Sequence, residues 1–207
     1  MTESPKFWDR IAEKYSKQPI ADEAAYQKKL KISREHFRPD MEVLELGCGT
    51  GSTAISHAPY VQHILATDIS SQMLEIARRK AADQGVTNVT FEQVTVGEFE
   101  ANDETYDAVL TLSLLHLLED KDEAIAKIRR VLKPGGVFIS STVCLGNKMS
   151  FFKIIAPIGK FFGFFPLVKI FKTTELIESI TAGGFKIDYQ WQPDSGNSVF
   201  VVAKKPE

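Results

Sequence analysis

The chain has 207 residues, of which 43% are hydrophobic and 25% are charged, and its formal net charge is −2. These values are typical of one globular domain and exclude a largely disordered or fibrous chain. The balanced charge gives no polyanion-binding footprint, so we expect no nucleic-acid partner. Two cysteines are too few for a disulfide framework, and the four histidines lack metal-ligand spacing, so no metal is predicted.

The amino-terminal segment predicts neither a signal peptide nor a membrane span. It is charged from Glu3 onward, and no uncharged apolar run in the chain reaches 18 residues. We therefore expect a soluble, cytoplasmic protein. Residues 1–40 predict two polar helices, which Pro19 separates and Pro39 closes.

From residue 41 onward, short apolar runs alternate with amphipathic segments. Ser70 or Ser71 can begin one amphipathic helix, which Gly85 ends, and Pro134 ends a later one. The alternation predicts parallel strands with helices on both faces of the sheet. The five runs that predict strands are residues 41–46, 63–68, 89–94, 106–113 and 137–143.

The end of the chain follows a different pattern. A helix is predicted from Thr173 or Thr174 through Ile180, and residues 185–192 and 198–205 flank a turn. Two strand-like runs on either side of a turn predict a hairpin, and hence antiparallel pairing at one side of the sheet.

A glycine-rich turn follows the first predicted strand. Residues 45–51 read ELGCGTG, and their glycines permit a tight turn and a close approach of a ligand to the backbone. A dinucleotide fingerprint would need a glycine where this chain has Ser52, which argues against a nicotinamide-dependent oxidoreductase. Asp68 ends the second strand, where an acid can accept hydrogen bonds from both hydroxyls of a ribose. The alternatives are a simple tight turn and an acid that complements a helix dipole.

The combination of motifs resembles the class I S-adenosylmethionine-dependent methyltransferases. The opening FWDRIAEKY also resembles the small-molecule branch that includes quinone-biosynthesis methyltransferases. The resemblance implies S-adenosylmethionine as the cofactor and methyl transfer to a small, apolar acceptor. A cofactor-binding protein without catalysis remains an alternative. The matching segments are VLELGCGTG (43–51), ATDIS (66–70), YDAV (106–109), LLHLLED (114–120) and LKPGG (132–136).

The resemblance also implies a set of cofactor-binding residues. Glu45 and the glycine-rich turn would surround the methionine part, and Asp68 would hold the ribose. Thr95 and Val96 stand where the family usually places an acid and a small residue beside adenine, and Glu98 is an alternative partner there. The full implied set is Tyr15, Glu45, Gly47, Cys48, Gly49, Gly51, Asp68, Ile69, Met73, Thr95, Val96, Leu112 and Ser113.

Within this set the remaining roles divide along the cofactor. Ile69 and Met73 would make apolar contact with adenine. Leu112 or Ser113 would offer a backbone carbonyl to the cofactor's ammonium group, and Tyr15 would reach its carboxylate.

His116 is the candidate catalytic base. It lies just past the fourth strand, at the sheet edge where open α/β sheets bind ligands, and an imidazole there could deprotonate the acceptor. The alternative is a histidine that orients a helix start or packs beneath the pocket.

Residues 144–172 form a phenylalanine-rich insertion. They hold seven of the chain's 14 phenylalanines, and residues 141–174 contain five lysines and no acid. The rings would either form a core beneath a small cap or line a mobile lid over an apolar acceptor. Residues 148–172 could also contact a membrane surface peripherally. The seven are Phe151, Phe152, Phe161, Phe162, Phe164, Phe165 and Phe171.

These patterns together predict an α/β fold. We expect a Rossmann-like, seven-stranded, mostly parallel sheet with one antiparallel carboxy-terminal hairpin strand, helices on both faces and a helical cap. Residues 1–207 would form one domain. Its parts are the cap helices (1–40), the cofactor-binding core (41–143), the phenylalanine-rich insertion (144–172) and the final helix and hairpin (173–207).

Overall fold

The computed structural model describes residues 5–147, 168–193 and 197–207. The helices within these residues are α1 (Lys6–Ser16), α2 (Glu23–Arg34), α3 (Ser52–His57), α4 (Ser71–Asp83), α5 (Lys121–Val131) and α6 (Thr173–Ala182). The strands are β1 (Glu42–Leu46), β2 (His63–Asp68), β3 (Val89–Gln93), β4 (Tyr106–Leu112), β5 (Leu132–Val143), β6 (Lys186–Trp191) and β7 (Ser198–Lys204). Short 3₁₀ turns cover Ala58–Tyr60, Leu115–Leu117 and Leu145–Asn147.

The strands form one sheet of seven in the order β3-β2-β1-β4-β5-β7-β6. All neighbouring pairs from β3 to β5 are parallel, and β7 is antiparallel to both β5 and β6. The predicted mostly parallel sheet with an antiparallel hairpin strand is therefore confirmed.

Both faces of the sheet are covered, which explains the continuous apolar runs. Successive residues of β1 enter different core clusters: Leu44 packs with α5 and α6 on one face, and Val43 packs with α3 and α4 on the other. Because a strand alternates its side chains, only an apolar run can fill both clusters. The sequence from 43 to 46 meets this requirement except at Glu45.

β5 begins earlier than predicted, at Leu132 rather than residue 137. Pro134 and the two glycines after it follow the end of α5, as predicted. They nevertheless belong to β5, and the register between β4 and β5 shifts next to Tyr106. Gly135 N–H donates to the Lys205 carbonyl at 3.0 Å, and Lys205 N–H donates to the Gly136 carbonyl at 2.9 Å. These two hydrogen bonds hold the segment against the chain that follows β7.

The two cap helices attach to different parts of the molecule. α1 packs on α4 through a small cluster of Ala12, Met73 and Ile76. Asp22 caps the start of α2, where its side chain accepts the Ala25 N–H at 2.9 Å, and Ile32 enters the core below. The two cap helices are therefore anchored separately, and together they cover the edge of the sheet.

Most of the phenylalanine-rich insertion lies outside the described residues, and so does the predicted lid. Its two described ends meet, because Gly146 N–H donates to the Phe171 carbonyl at 3.0 Å. Phe171 belongs to the same buried core cluster as Leu176, which favours the core alternative for this ring, and the lid stays a prediction. Across the described part of the chain, none of the helices combines the length and apolar character needed to cross a bilayer.

Candidate cofactor and acceptor site

A cleft of about 1140 Å³ runs along the carboxyl edge of the sheet. Successive strands contribute to it in their order in the sheet: Thr95 after β3, Asp68 at the end of β2, Gly47 after β1, Ser113 after β4 and Ser141 on β5. Single small-molecule sites typically measure ~300–1,000 Å³. The cleft is therefore large enough for two ligands side by side.

The glycine-rich turn is fixed to the neighbouring strand by its backbone. Cys48 N–H donates to the Thr67 carbonyl at 2.8 Å, and Gly49 N–H donates to the Asp68 carboxylate at 2.8 Å. Gly49 has a left-handed backbone with φ of +54°, and a side chain there would meet no atom within 4 Å. Since Gly49 lines the cleft, this open space is room for a ligand against the backbone.

Two other members of the turn are buried. The Cys48 side chain is 8% exposed, and burial raises the pKa of its thiol, so it is an inert small residue and not a nucleophile. Gly51 does not line the cleft; a Cβ there would lie 2.8 Å from the Ala77 Cβ and 3.0 Å from the Phe91 ring. Gly51 thus lets α4 and β3 pack closely against the start of α3.

Asp68 joins three parts of the site. One carboxylate oxygen accepts the Gly49 N–H, and the other accepts the Ser70 N–H at 2.9 Å. Burial raises the pKa of Asp68, although these backbone donors act in the opposite direction. A carboxylate has about four acceptor positions, so lone pairs remain for ligand hydroxyls in the cleft.

Glu45 is a buried carboxyl group that lines the same cleft. It is 3% exposed, and its Oε2 has no hydrogen-bond partner among the described residues. Burial and then the charge of Asp68 raise the pKa of Glu45 to about 8, so the group is protonated at neutral pH. A cation beside it would restore the ionised form. S-adenosylmethionine carries an ammonium and a sulfonium, so this residue fits a cationic cofactor.

The other implied cofactor residues also line the cleft, except for Gly51. They are Tyr15, Gly47, Ile69, Met73, Thr95, Val96, Leu112 and Ser113. The Thr95 hydroxyl donates to the Glu98 carboxylate at 2.9 Å and accepts the Glu98 N–H at 3.0 Å. Both hydrogen bonds lie within the turn that Thr95 begins. Glu98 is not among the residues that line the cleft. The binding roles of the set stay predictions.

Ser113 has an unusual backbone. Its φ is +63°, a left-handed conformation that costs a serine ~1–3 kcal/mol. Its N–H donates to the Ser141 carbonyl at 2.7 Å, which holds the turn after β4 against β5. Strain of this kind persists only where the surroundings impose it, and here it shapes the floor of the cleft.

His116 is not brought to the cleft. It is 8% exposed and absent from the lining, and its Nδ1 has no hydrogen-bond partner in the described parts of the chain. Burial lowers the pKa of His116 to about 4, so the ring is neutral at physiological pH. Its carbonyl accepts the Lys169 N–H at 2.7 Å, which ties the end of the insertion to this turn. The catalytic role of His116 stays a prediction, and its burial favours the packing alternative.

Sequence analysis missed one wall of the cleft, the inner face of α2. Asp22, Ala25, Tyr26 and Lys29 all line it. The spacing of three and four residues places them on one helix face, and this spacing was the available signal. The Lys29 amine donates to the Ser141 hydroxyl at 2.8 Å.

Sheet order, glycine-rich turn and strand-end acid together define a methyltransferase-type fold. The model of the methyltransferase domain family matches residues 43–136. The uncharacterized methyltransferase YcgJ of Bacillus subtilis is 34% identical over 110 residues, which are 53% of this chain and 44% of YcgJ. The demethylmenaquinone methyltransferase of Symbiobacterium thermophilum is 30% identical over 173 residues, or 80% of this chain and 65% of that protein.

Solved structures share the fold over most of the chain. The crystal structure of YcgJ covers 87% of this chain, with 99% of its own chain, 18% identity and a TM-score of 0.72. The [4+2]-cyclase SpnF covers 86%, with 80% of its own chain, 21% identity and a TM-score of 0.71. These matches support a class I S-adenosylmethionine-dependent methyltransferase, and S-adenosylmethionine is the cofactor of that family. It spans about half to two thirds of the length of the curated relatives it matches.

Proposed function

We propose that the protein transfers a methyl group from S-adenosylmethionine to a small, apolar acceptor. The observation that carries the proposal is the continuous cleft, which extends past the implied cofactor residues to Ser141 and Ser198. A protein that only bound the cofactor would need no further space beyond Leu112 and Ser113. The quinone-related name of the Symbiobacterium relative supports an apolar ring as the acceptor.

The protein's contribution is alignment more than activation. S-adenosylmethionine supplies a methyl group that its positive sulfur already activates. Asp68 and the glycine-rich turn fix the ribose and methionine ends on one side, and α2 closes the cleft on the other. Holding donor and acceptor in line can contribute ~7–11 kcal/mol toward the barrier, so no further catalytic group is required.

A label-transfer screen tests the proposal. The protein would be incubated with methyl-labelled S-adenosylmethionine and panels of quinols, phenols, amines, thiols and lipid extracts, and labelled products would be counted. The expected result is label in a small organic product together with S-adenosylhomocysteine. No transfer to any panel, with cofactor binding retained, would contradict it. A His116→Gln arm separates the two roles of that residue, since a catalytic base would cost ~10²–10⁴-fold in turnover.

A second candidate is cofactor binding coupled to a different reaction. The observation in its favour is the similarity in fold to the [4+2]-cyclase SpnF. The same fold therefore carries more than one named activity. Cofactor consumption distinguishes the two, because only methyl transfer converts S-adenosylmethionine to S-adenosylhomocysteine.

Contact of residues 148–172 with a membrane stays a prediction. Co-sedimentation with anionic and neutral vesicles would test it.

A further inference from the structure

The wall formed by α2 carries a cation at the acceptor end of the cleft. The Lys29 amine donates to the Ser141 hydroxyl at 2.8 Å, and Ser141 is 2% exposed. An ammonium group has three donors. Because the amine donates one of them to Ser141 in the part of the chain that the structure describes, others remain for a molecule in the cleft.

Sheet order places this cation beyond the implied cofactor site. The implied cofactor residues follow β3, β2, β1 and β4 in that order. Ser141 lies on β5, the next strand, and pairs with Leu112. Parallel strands are spaced by roughly 4.8 Å, so the amine stands about one strand past the predicted methionine end. The proposed acceptor site lies on this side of the implied cofactor site.

The surroundings of the amine suit an apolar ring with one negative oxygen. Ile20, Tyr26, Leu112 and Pro193 also line the cleft. Burial lowers the pKa of Lys29, and the charge of Asp22 opposes this shift. A second anion close to the amine would therefore be favourable, because it offsets the desolvation of the ammonium.

We propose that Lys29 is a specificity-determining residue of the acceptor site, and that its ammonium group pairs with an ionised hydroxyl of a phenol or enol acceptor. This inference rests on the proposed methyl transfer. The acceptor's O–H proton passes to water, and the oxyanion is held by Lys29. A lone pair on oxygen, or the π-electron pair at the ring carbon conjugated with it, forms the bond to the methyl group. The S–CH₃ electron pair stays on sulfur, and a methylated ring carbon then releases its proton to water.

Lys29→Met tests the pairing because it keeps the length of the side chain and removes the charge. Lys29→Arg keeps the charge. Lys28→Met is the matched control: Lys28 is the adjacent lysine on α2, and its amine lies 4.0 Å from the Trp191 ring centre, away from the cleft lining. Turnover is measured on phenol, dihydroxynaphthalene, amine and thiol panels, and S-adenosylhomocysteine affinity is measured by calorimetry.

The expected result is turnover on the hydroxyaromatic panel. Lys29→Met should lower kcat/KM there by roughly 10- to 100-fold, while Lys29→Arg retains most of it and Lys28→Met retains nearly all. S-adenosylhomocysteine affinity should stay within about twofold in all three. A large loss of that affinity in Lys29→Met would place the amine in the cofactor site and overturn the proposal. Turnover confined to amines or thiols, or unchanged in Lys29→Met, would also overturn it.

A binding experiment tests the proposal even where no turnover is detected. Equilibrium dialysis compares 4-nitrophenolate with uncharged nitrobenzene on the S-adenosylhomocysteine complex. The wild type should retain the anion preferentially, and Lys29→Met should lose the preference. No preference in the wild type would overturn the role of Lys29. Anion preference without methyl transfer to any panel would instead contradict the proposed function and leave the role of Lys29 supported.

Discussion

The two ends of the cleft are built in different ways. The proposed cofactor end is built from short segments of the chain, and backbone hydrogen bonds fix two of them: Gly49 and Ser70 both donate to Asp68. The acceptor end joins side chains from distant segments, since Lys29 and Ser141 are 112 residues apart. A site built from short segments can be recognised from sequence motifs. A site built from distant segments depends instead on how whole helices and strands pack. Recognition of the family therefore reveals the cofactor and leaves the acceptor open.

The sharpest way to break the cofactor end is to fill the space above the glycine-rich turn. Gly49→Ala places a methyl group where no protein atom lies within 4 Å, so the chain should fold and S-adenosylmethionine affinity should fall by roughly 100-fold. Gly85→Ala is the matched control, because Gly85 has φ of +66° and equally open surroundings outside the cleft. Both variants should lose a similar ~1–2 kcal/mol of stability from the left-handed backbone. Calorimetry would measure the affinity for S-adenosylmethionine, and thermal melts would measure the stability. Equal affinities in the two variants would contradict a cofactor site at the glycine-rich turn.

Asp68→Ala should weaken S-adenosylmethionine and S-adenosylhomocysteine alike, by roughly 10- to 100-fold, because ribose hydroxyls and the turn lose one common acceptor. The matched control is Asp107→Ala. Asp107 also accepts a backbone N–H, that of Glu42 at 2.9 Å, and it lies outside the cleft lining. Both variants should melt at a lower temperature, and only Asp68→Ala should lose affinity. Unequal losses for the two ligands would point to the sulfonium instead of the ribose.

Glu45 links the cofactor end to pH. The folded protein holds a proton on Glu45 up to about pH 8, whereas an exposed glutamate with a pKa of 4.5 has released it. The folded state thus binds more protons over this window, and stability should fall as pH rises from about 4.5 to about 8. Glu45→Gln cannot ionise, so above pH 8 the ligand-free variant should melt a few degrees higher than the wild type, ~2–4 °C for each kcal/mol. At pH 5 the two should nearly coincide. Parallel melting curves at all pH values would show that Glu45 does not titrate in this window.

The smallest expected effect concerns the helix that covers the cofactor end. Asp9 on α1 accepts hydrogen bonds from the Ser70 hydroxyl at 2.6 Å and from Gln72 N–H at 3.3 Å. Asp9→Ala should cost ~0.5–1.5 kcal/mol and change cofactor affinity less than the two variants above. Glu13→Ala breaks an exposed ion pair with Arg79 on the same pair of helices, and solvent screening leaves such pairs with little effect on stability. Urea unfolding would compare the free energies of unfolding of the two variants. A larger loss of stability in Glu13→Ala than in Asp9→Ala would contradict this prediction.

Particular residues show how much of the fold and of the candidate site could be predicted from the sequence. The alternation of apolar runs predicts β1 to β4 within a residue or two at each end, helped by residues such as Gly47 after β1 and the capping Ser70 after β2. The glycine-rich turn and Asp68 are readable because their roles depend on backbone shape. The early start of β5 depends on hydrogen bonds to Lys205, which lies far along the chain. Likewise, the burial of His116 depends on tertiary packing, which no local pattern encodes.

The position of β7 has a consequence for how the chain reaches its native state. β7 follows β6 in sequence but lies between β5 and β6, so neither of those strands is fully paired until β7 has been synthesised. Seven register pairs join β5 to β7, and residues 199–203 of β7 are fully buried. A growing chain therefore carries a long, apolar strand edge until its last structural element arrives, and such edges template aggregation. We expect a chain that stops before Ser198 to accumulate as insoluble material even though every cofactor residue is present, and a pelleting assay of that fragment against residues 1–207 would measure the effect.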